Sequence, residues 1–447
     1  MNRRHFARLA ATGVAAAAVP PFARTTLARA RDGSRAAAPA PRINAARLNA
    51  HLTAISEFGK NPQGGVTRLG YSAADLAARA YAKGLMRDAG LTVRVDEAGN
   101  IFGRRAGSDA NAKPLVFGSH IDSVPEGGNY DGNLGSLGAI EVAQSLAEAK
   151  IVTRHPLDVV IWQNEEGGIW GSHLVTVDVP DRELEIMALS GMSIRNGITT
   201  IGGNPARLAQ ARLAKGSVHA YLELHIEQGG VLDKAGLQIG VVEGIVGLCE
   251  WNVTVRGVAN HGGTTAMPDR HDAMLSAARF TEMVNRVVTR EAGRQVGTVG
   301  KLHAYPGAPN VVPGRVECTL ELRDLDDAKI VRLYDAIVAE SRTIGAMNGT
   351  TFAYSEIVTH TSARCDPRMR ALIQSATSTL GFTSASLPSG AGHDAQNMAR
   401  VCPMGMIFIP SVGGISHAPT EYSTPEACGR GAEALAAAVL AVDAATL

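Results

Sequence analysis

Four short stretches of this chain carry acids and histidines that could hold cations and move protons. His120-Ile121-Asp122 follows the apolar run Pro114–Ser119, and Asp131-Gly132 comes soon after. Asn164-Glu165-Glu166-Gly167 follows Leu157–Gln163. His225 closes the run His219–His225, with Glu227-Gln228-Gly229 behind it. Ser416-His417 follows the run Met404–Pro410. Taken singly, each is weak. A histidine at a strand end is more often structural than a ligand, and a Glu-Glu pair is usually solvated. Taken together they resist explanation by burial, because burying several unpaired charges is costly. Two divalent cations would offset that cost. Three imidazoles and two carboxylates without a thiolate suit Zn²⁺, with Mn²⁺, Co²⁺ or Ni²⁺ as substitutes. A carboxylate shared by two cations, with a water between them, is a usual arrangement for hydrolysis.

For these clusters to meet, the apolar runs must be neighbouring strands. Helical patterns separate them, at Ile43–Glu57, Ser72–Asp88, Asn133–Lys150 and Pro367–Leu380. Leu91–Val95 and Ile101–Arg105 read as short strands around Gly99-Asn100. Continuous apolar strands alternating with helices predict a parallel sheet covered on both faces. Ligands of such sheets gather at the carboxyl ends of the strands. From 247 to 357 the pattern changes. Glu250–Arg256 and Val316–Arg323 alternate polar and apolar residues and flank a helix, Asp272–Arg290, with a second helix at Asp327–Ala346. That predicts a half-exposed antiparallel sheet. The expected fold class is α/β: one catalytic domain of sheet and helices split into 44–246 and 358–447, with a smaller α+β domain, 247–357, inserted.

Length and composition agree. At roughly 150 residues per domain, 447 residues allow two or three domains. Apolar residues make up 45%, and the mean hydropathy of +0.01 suits a globular protein with a real core. Lys+Arg is 43 against Asp+Glu 42, which argues against a nucleic-acid or polybasic membrane binder. The 5 cysteines are scattered without a CxxC pair, so neither a disulfide scaffold nor a thiolate zinc site is expected. In residues 1–30, Arg3-Arg4 precede Phe6, a weakly apolar run spans Leu9–Val19, and Ala28-Arg29-Ala30 forms a small-x-small site. This predicts a twin-arginine export signal cleaved after about Ala30, a linker over 31–43, and a periplasmic or secreted product. The apolar run is about half of what a membrane span needs, so no membrane association is expected after cleavage.

Several motifs then occur in order: GSHIDSV (118–124), YDGNLG (130–135), NEEG (164–167), AYLELHIEQG (220–229), ANHGGTTAMPDRHDAM (259–274), PNVVPG (309–314), LELRD (320–324), SGAGHDA (389–395) and GISHAPTEYS (414–423). Over 44–447 the chain resembles the M20 metallopeptidase-like amidohydrolases. Within them it is similar to the hydantoinase/carbamoylase branch of N-carbamoyl-L-amino-acid, allantoate and ureidoglycolate amidohydrolases and β-ureidopropionases. Peptidase members lack the HIEQG pattern.

The resemblance implies a site. His120 and His225 would hold one divalent metal ion, Glu166 and His417 the other, and Asp131 both, most naturally zinc. Glu165 would be the general base, and Asp122 would orient His120 from behind. His261 would reach into a neighbouring subunit's site to stabilise the tetrahedral intermediate. That implies a homodimer through the inserted domain, which would also act as a lid. Gln228, Asn310 and Arg323 would contact a small carboxylate-bearing substrate, Arg323 by its bidentate fork; the bland alternative for Arg323 is a pair with Asp324. His393-Asp394 would shape a substrate loop. The implied activity is zinc-dependent hydrolysis of linear amide or ureido C–N bonds other than peptide bonds. An M20-type exopeptidase or aminoacylase, or a non-catalytic periplasmic binding protein, are the competing expectations. The chain departs from the family pattern at 167–183, at Gly262 after His261, and at Ala266, so no single named substrate transfers to it.

Overall fold

The computed structural model describes residues 40–447; the expected signal over 1–30 and most of the expected linker lie outside the described residues. The apolar runs are strands. In chain order the first eight are β1 Thr92–Val95, β2 Ile101–Arg105, β3 Leu115–His120, β4 Leu157–Trp162, β5 Ala220–Ile226, β6 Ile239–Ile245, β7 Gly247–Arg256 and β8 Asn260–His261. The rest are β9 Val296–Thr298, β10 Leu302–Tyr305, β11 Val311–Val312, β12 Arg315–Asp324, β13 Thr351–His360, β14 Ala363–Arg364, β15 Ser384–Ser389 and β16 Met404–Ile409.

The larger sheet runs β1-β2-β4-β3-β5-β16-β6-β14, with β15 beside β6. Its central strands β4, β3, β5 and β16 are mutually parallel. Every residue of those four is buried, which is why they read as unbroken apolar runs. Alternate side chains enter two cores. Phe117 and Val159 join the core under helices Ala45–Ile55, Ala73–Asp88, Asn133–Glu148 and Pro425–Ala444. Val116 and Val160 join Trp162, Ile194, Ile198 and Phe408 in the other. The expectation of a wholly parallel sheet needs correction: β1/β2, β2/β4, β6/β16 and β6/β14 are antiparallel. The tight turn from β1 to β2 leaves no room for a crossover helix, so that edge folds back as a hairpin.

The second sheet, order β10-β12-β7-β13 with β9 beside β12, is antiparallel throughout. One face packs Leu320 and Val253 against Phe280 and Ile337 of the helices Ala273–Arg290 and Asp327–Asn348. Both helices start where expected, because Asp272 and Asp326 each accept two backbone N–H groups of the first turn. A small separate ribbon pairs β8 with β11. Helix Pro425–Ala444, not anticipated from its Ala/Gly-rich sequence, is capped by Thr424 with proline in its first turn. All five cysteines are free, and no described helix is long and apolar enough to cross a membrane.

Helix Asn133–Glu148 lies so close to β5 that a Cβ on Gly135 would come 2.1 Å from the Leu224 carbonyl oxygen. Gly135→Ala is therefore expected to destabilise by about 1–3 kcal/mol through overpacking. Gly84→Ala, where a Cβ meets nothing within 4 Å, should be neutral or slightly stabilising in its helix. Thermal melts of the two variants side by side check the close approach.

Candidate metal centre

The carboxyl ends of four adjacent parallel strands supply the cluster. β3 ends in His120, β5 carries His225, the turn after β4 carries Glu165 and Glu166, and the loop after β16 carries His417. Asp131 enters from the loop before helix Asn133–Glu148 and stands between them. Its Oδ1 lies 3.4 Å from His120 Nε2 and 3.2 Å from His225 Nε2. Its Oδ2 lies 3.4 Å from His417 Nε2, which is itself 3.6 Å from Glu166 Oε2. The donor atoms thus form two groups, His120/Asp131/His225 and Asp131/Glu166/His417, with Asp131 common to both. A third group, Glu223/His225/His393, shares His225.

The imidazoles are oriented for ligation. His120 Nδ1 donates to the Asp122 carbonyl at 3.2 Å, and His225 Nδ1 to the Ile226 carbonyl at 2.9 Å. A carbonyl oxygen can only accept, so the proton sits on Nδ1 and the lone pair on Nε2 faces Asp131. The Gly132 amide donates to His225 Nε2 at 3.2 Å, as that tautomer requires. Gly132 itself has φ +62°, and a Cβ there would strike the His120 ring, so the loop admits only glycine. Asp122 lies behind His120: its backbone carbonyl accepts from Nδ1 at 3.2 Å and its Oδ1 lies 3.6 Å from the same nitrogen. Its carboxylate also accepts the amides of Glu165 at 3.2 Å and Glu166 at 3.1 Å.

Burial and mutual charge set the electrostatics of the cluster. Burial and its like-charged neighbour Asp131 push the Glu166 carboxyl up to about 8. Burial raises Glu165 well above the usual range, only partly offset by His120. At His120, burial is outweighed by Glu165, Asp122 and Asp131, which raise the imidazole. Burial of Asp131 is outweighed by His225, His120 and His417, which hold it well below the carboxylate range. Several carboxyl groups and imidazoles are thus crowded into one buried site, and Glu166 Oε1 is buried with no hydrogen-bond partner. A nitrogen-and-oxygen donor set with this orphaned atom fits divalent cations. Glu165 belongs to neither group. Its carboxylate lies in the same cavity of about 280 Å³, with Oε2 3.7 Å from His120 Nε2.

The remaining expected residues fall into two sets. Gln228 and Arg323 line this cavity. Gln228 Nε2 donates to Asp131 Oδ2 at 2.6 Å. Arg323 does not pair with Asp324, which is bound by Lys329 at 3.2 Å. Its fork grips Glu321, two residues back on the same face of β12, at 2.8 and 3.1 Å, and Nη1 reaches the Gly390 carbonyl at 2.7 Å. His261 and Asn310 sit together on the β8/β11 ribbon, where the Gly262 amide donates to the Asn310 carbonyl at 2.7 Å. His261 is exposed, and neither residue lines the cavity of its own chain.

Three participants were not anticipated in these roles. Glu421 accepts the amides of Tyr130 and Asp131 with Oε1, and Ser416 Oγ and the His417 amide with Oε2. One carboxylate therefore ties the two loops that meet at Asp131. His393 packs edge-on against His225, with centroids 4.5 Å apart, and shares a proton with Ser389 Oγ at 2.8 Å. Glu223 takes hydrogen bonds from Ser119 Oγ and Tyr221 beneath His225. Glu223 could have been found, since a residue two before His225 in a strand lies on the same face.

The chain resembles known proteins along most of its length. Residues 116–441 match the family described as peptidase family M20/M25/M40. The chain is 41% identical to the N-carbamoyl-L-amino acid amidohydrolase of Geobacillus stearothermophilus, over 88% of this chain and 97% of that protein. It is 35% identical to the ureidoglycolate hydrolase of Arabidopsis thaliana, over 88% of this chain and 85% of that one. A crystal structure of a hydantoinase/carbamoylase-family amidase from Burkholderia multivorans superposes with TM-score 0.85 at 36% identity, over 91% of this chain and 99% of that one.

Cation binding to the native state should stabilise it. At a hundredfold excess over Kd the gain is about 2.7 kcal/mol per site, read as a rise in Tm. Asp131→Asn is expected to lose most of that rise. An undiminished rise in Asp131→Asn would put the cations elsewhere.

Proposed function

The chain belongs to peptidase family M20/M25/M40, and from that premise we propose that it is an amidohydrolase of linear ureido or amide C–N bonds, not peptide bonds. Its substrates are small and carry a carboxylate: N-carbamoyl-L-amino acids, or allantoate- and ureidoglycolate-like compounds. The observation that carries the proposal is Asp131 set between two donor groups, with the spare buried carboxylate of Glu165 beside them. The named activities of the relatives direct the chemistry to ureido bonds rather than to the peptide bonds of the family's name.

In this proposal His120 and His225 would hold one ion, Glu166 and His417 the other, and Asp131 would serve both; zinc would suit the donors best, with manganese, cobalt or nickel as alternatives. Such ions supply positive charge that polarises the carbonyl and makes water more acidic. Glu165, whose carboxylate lies in the cavity outside both donor groups, takes the proton of the attacking water and passes it to the leaving nitrogen. For a carbamoyl amino acid, one water is consumed, and amino acid, ammonia and CO₂ result. Gln228 holds the substrate beside Asp131, and Arg323 binds its carboxylate once the fork turns from Glu321. His261 and Asn310 complete the site of a neighbouring subunit, His261 by stabilising the tetrahedral intermediate. The protein is then a homodimer, with 247–357 as lid and dimerisation domain between the catalytic segments 44–246 and 358–447. Arg3-Arg4 and the run behind them make 1–30 a twin-arginine signal, and the mature protein periplasmic or secreted.

Ammonia release from a panel of ureido acids should stop on chelation and return with Zn²⁺ or Mn²⁺. Glu165→Gln should lower kcat by about 10²–10⁴-fold while metal content stays unchanged. Full activity in Glu165→Gln would remove it as the base. Release of amino acids from dipeptides, with ureido acids untouched, would overturn the proposed bond class.

A further inference from the structure

A larger cavity of about 740 Å³ opens beside the metal centre. The two cavities share Gln228, Ala391 and His417 in their walls, so a substrate held at the smaller one projects its remaining substituent into the larger. Beyond those shared residues, Val231, Leu387 and Pro388 give the wall an apolar face, beside the polar Ser386 and Ser416. The charged groups that face it are already engaged. Arg294 is paired with Glu243 through Nη2. Glu227 accepts the amides of Val231 at 2.7 Å and Leu232 at 2.8 Å. Apart from His417 at the metal centre, each charged side chain of the wall already has a partner within the chain.

We infer that this cavity receives the substrate's side chain and selects large, uncharged, apolar ones. The favoured substrates are N-carbamoyl-L-amino acids of the leucine, methionine or phenylalanine kind, ahead of N-carbamoylglycine, N-carbamoyl-L-aspartate and allantoate. The inference rests on the ureido-hydrolase function proposed above. Val231 is its sharpest probe. Its side chain is 58% exposed at the wall, and its place in the chain is held through its backbone amide. A larger residue there narrows the cavity without entering a packed core.

The test is kcat/KM for ammonia release by the metal-loaded full protein across those substrates. The leucine and phenylalanine derivatives should exceed N-carbamoylglycine and allantoate by at least about tenfold, the discrimination an apolar pocket supplies. Val231→Trp should lose about tenfold on N-carbamoyl-L-phenylalanine and stay within about twofold on N-carbamoylglycine. Val231→Ala should keep the wild-type order and tolerate the bulkiest side chains at least as well. Preference for glycine, aspartate or allantoate derivatives, or an unchanged profile in Val231→Trp, would overturn the inference and leave the ureido chemistry standing. Turnover of no ureido acid at all would remove that chemistry and this inference together.

Discussion

One buried carboxylate organises this protein. Asp131 lies within 3.4 Å of three imidazole nitrogens that arrive from three different strands or their loops. Each of its oxygens faces a different group, so moving it by an ångström would break both donor sets at once. A charge in that position is tolerable only because positive partners surround it, and its depressed pKa is the direct expression of that dependence. The sheet order, the glycine at 132 and the close packing at Gly135 all serve to hold this loop against β5.

The support around Asp131 is made largely of carboxylates that bind backbone amides. Glu421 joins the Asp131 loop to the His417 loop, and Asp122 fixes the turn that presents Glu165 and Glu166. Carboxylate–amide bonds of this kind set the position of a chain rather than of one flexible side chain. They suit a centre whose geometry must hold within a fraction of an ångström. The donor groups thus stay preorganised, and Glu165 stands beside them outside both groups.

Much of this was legible in the sequence, for identifiable reasons. Strands β3, β4, β5 and β16 are buried on both faces and so are mostly apolar, and the polar clusters mark their carboxyl ends. What escaped depends on contacts between distant segments. Glu421 binds amides nearly three hundred residues earlier in the chain (|i−j| of 291 and 290), and no local pattern announces that. The antiparallel course of β2 depends on which neighbour it meets, not on its own residues. Arg323 is the instructive case. Period-two geometry puts Glu321 on its face and Asp324 on the other, so the ion pair was readable although the adjacent acid drew attention first.

The two-ion arrangement around Asp131 is most directly tested by anomalous diffraction from crystals of the protein grown with zinc. Two peaks are expected, one held by His120 and His225, the other by Glu166 and His417, with Asp131 between them. A single peak, or a peak held by Glu223, His225 and His393 instead, would contradict it.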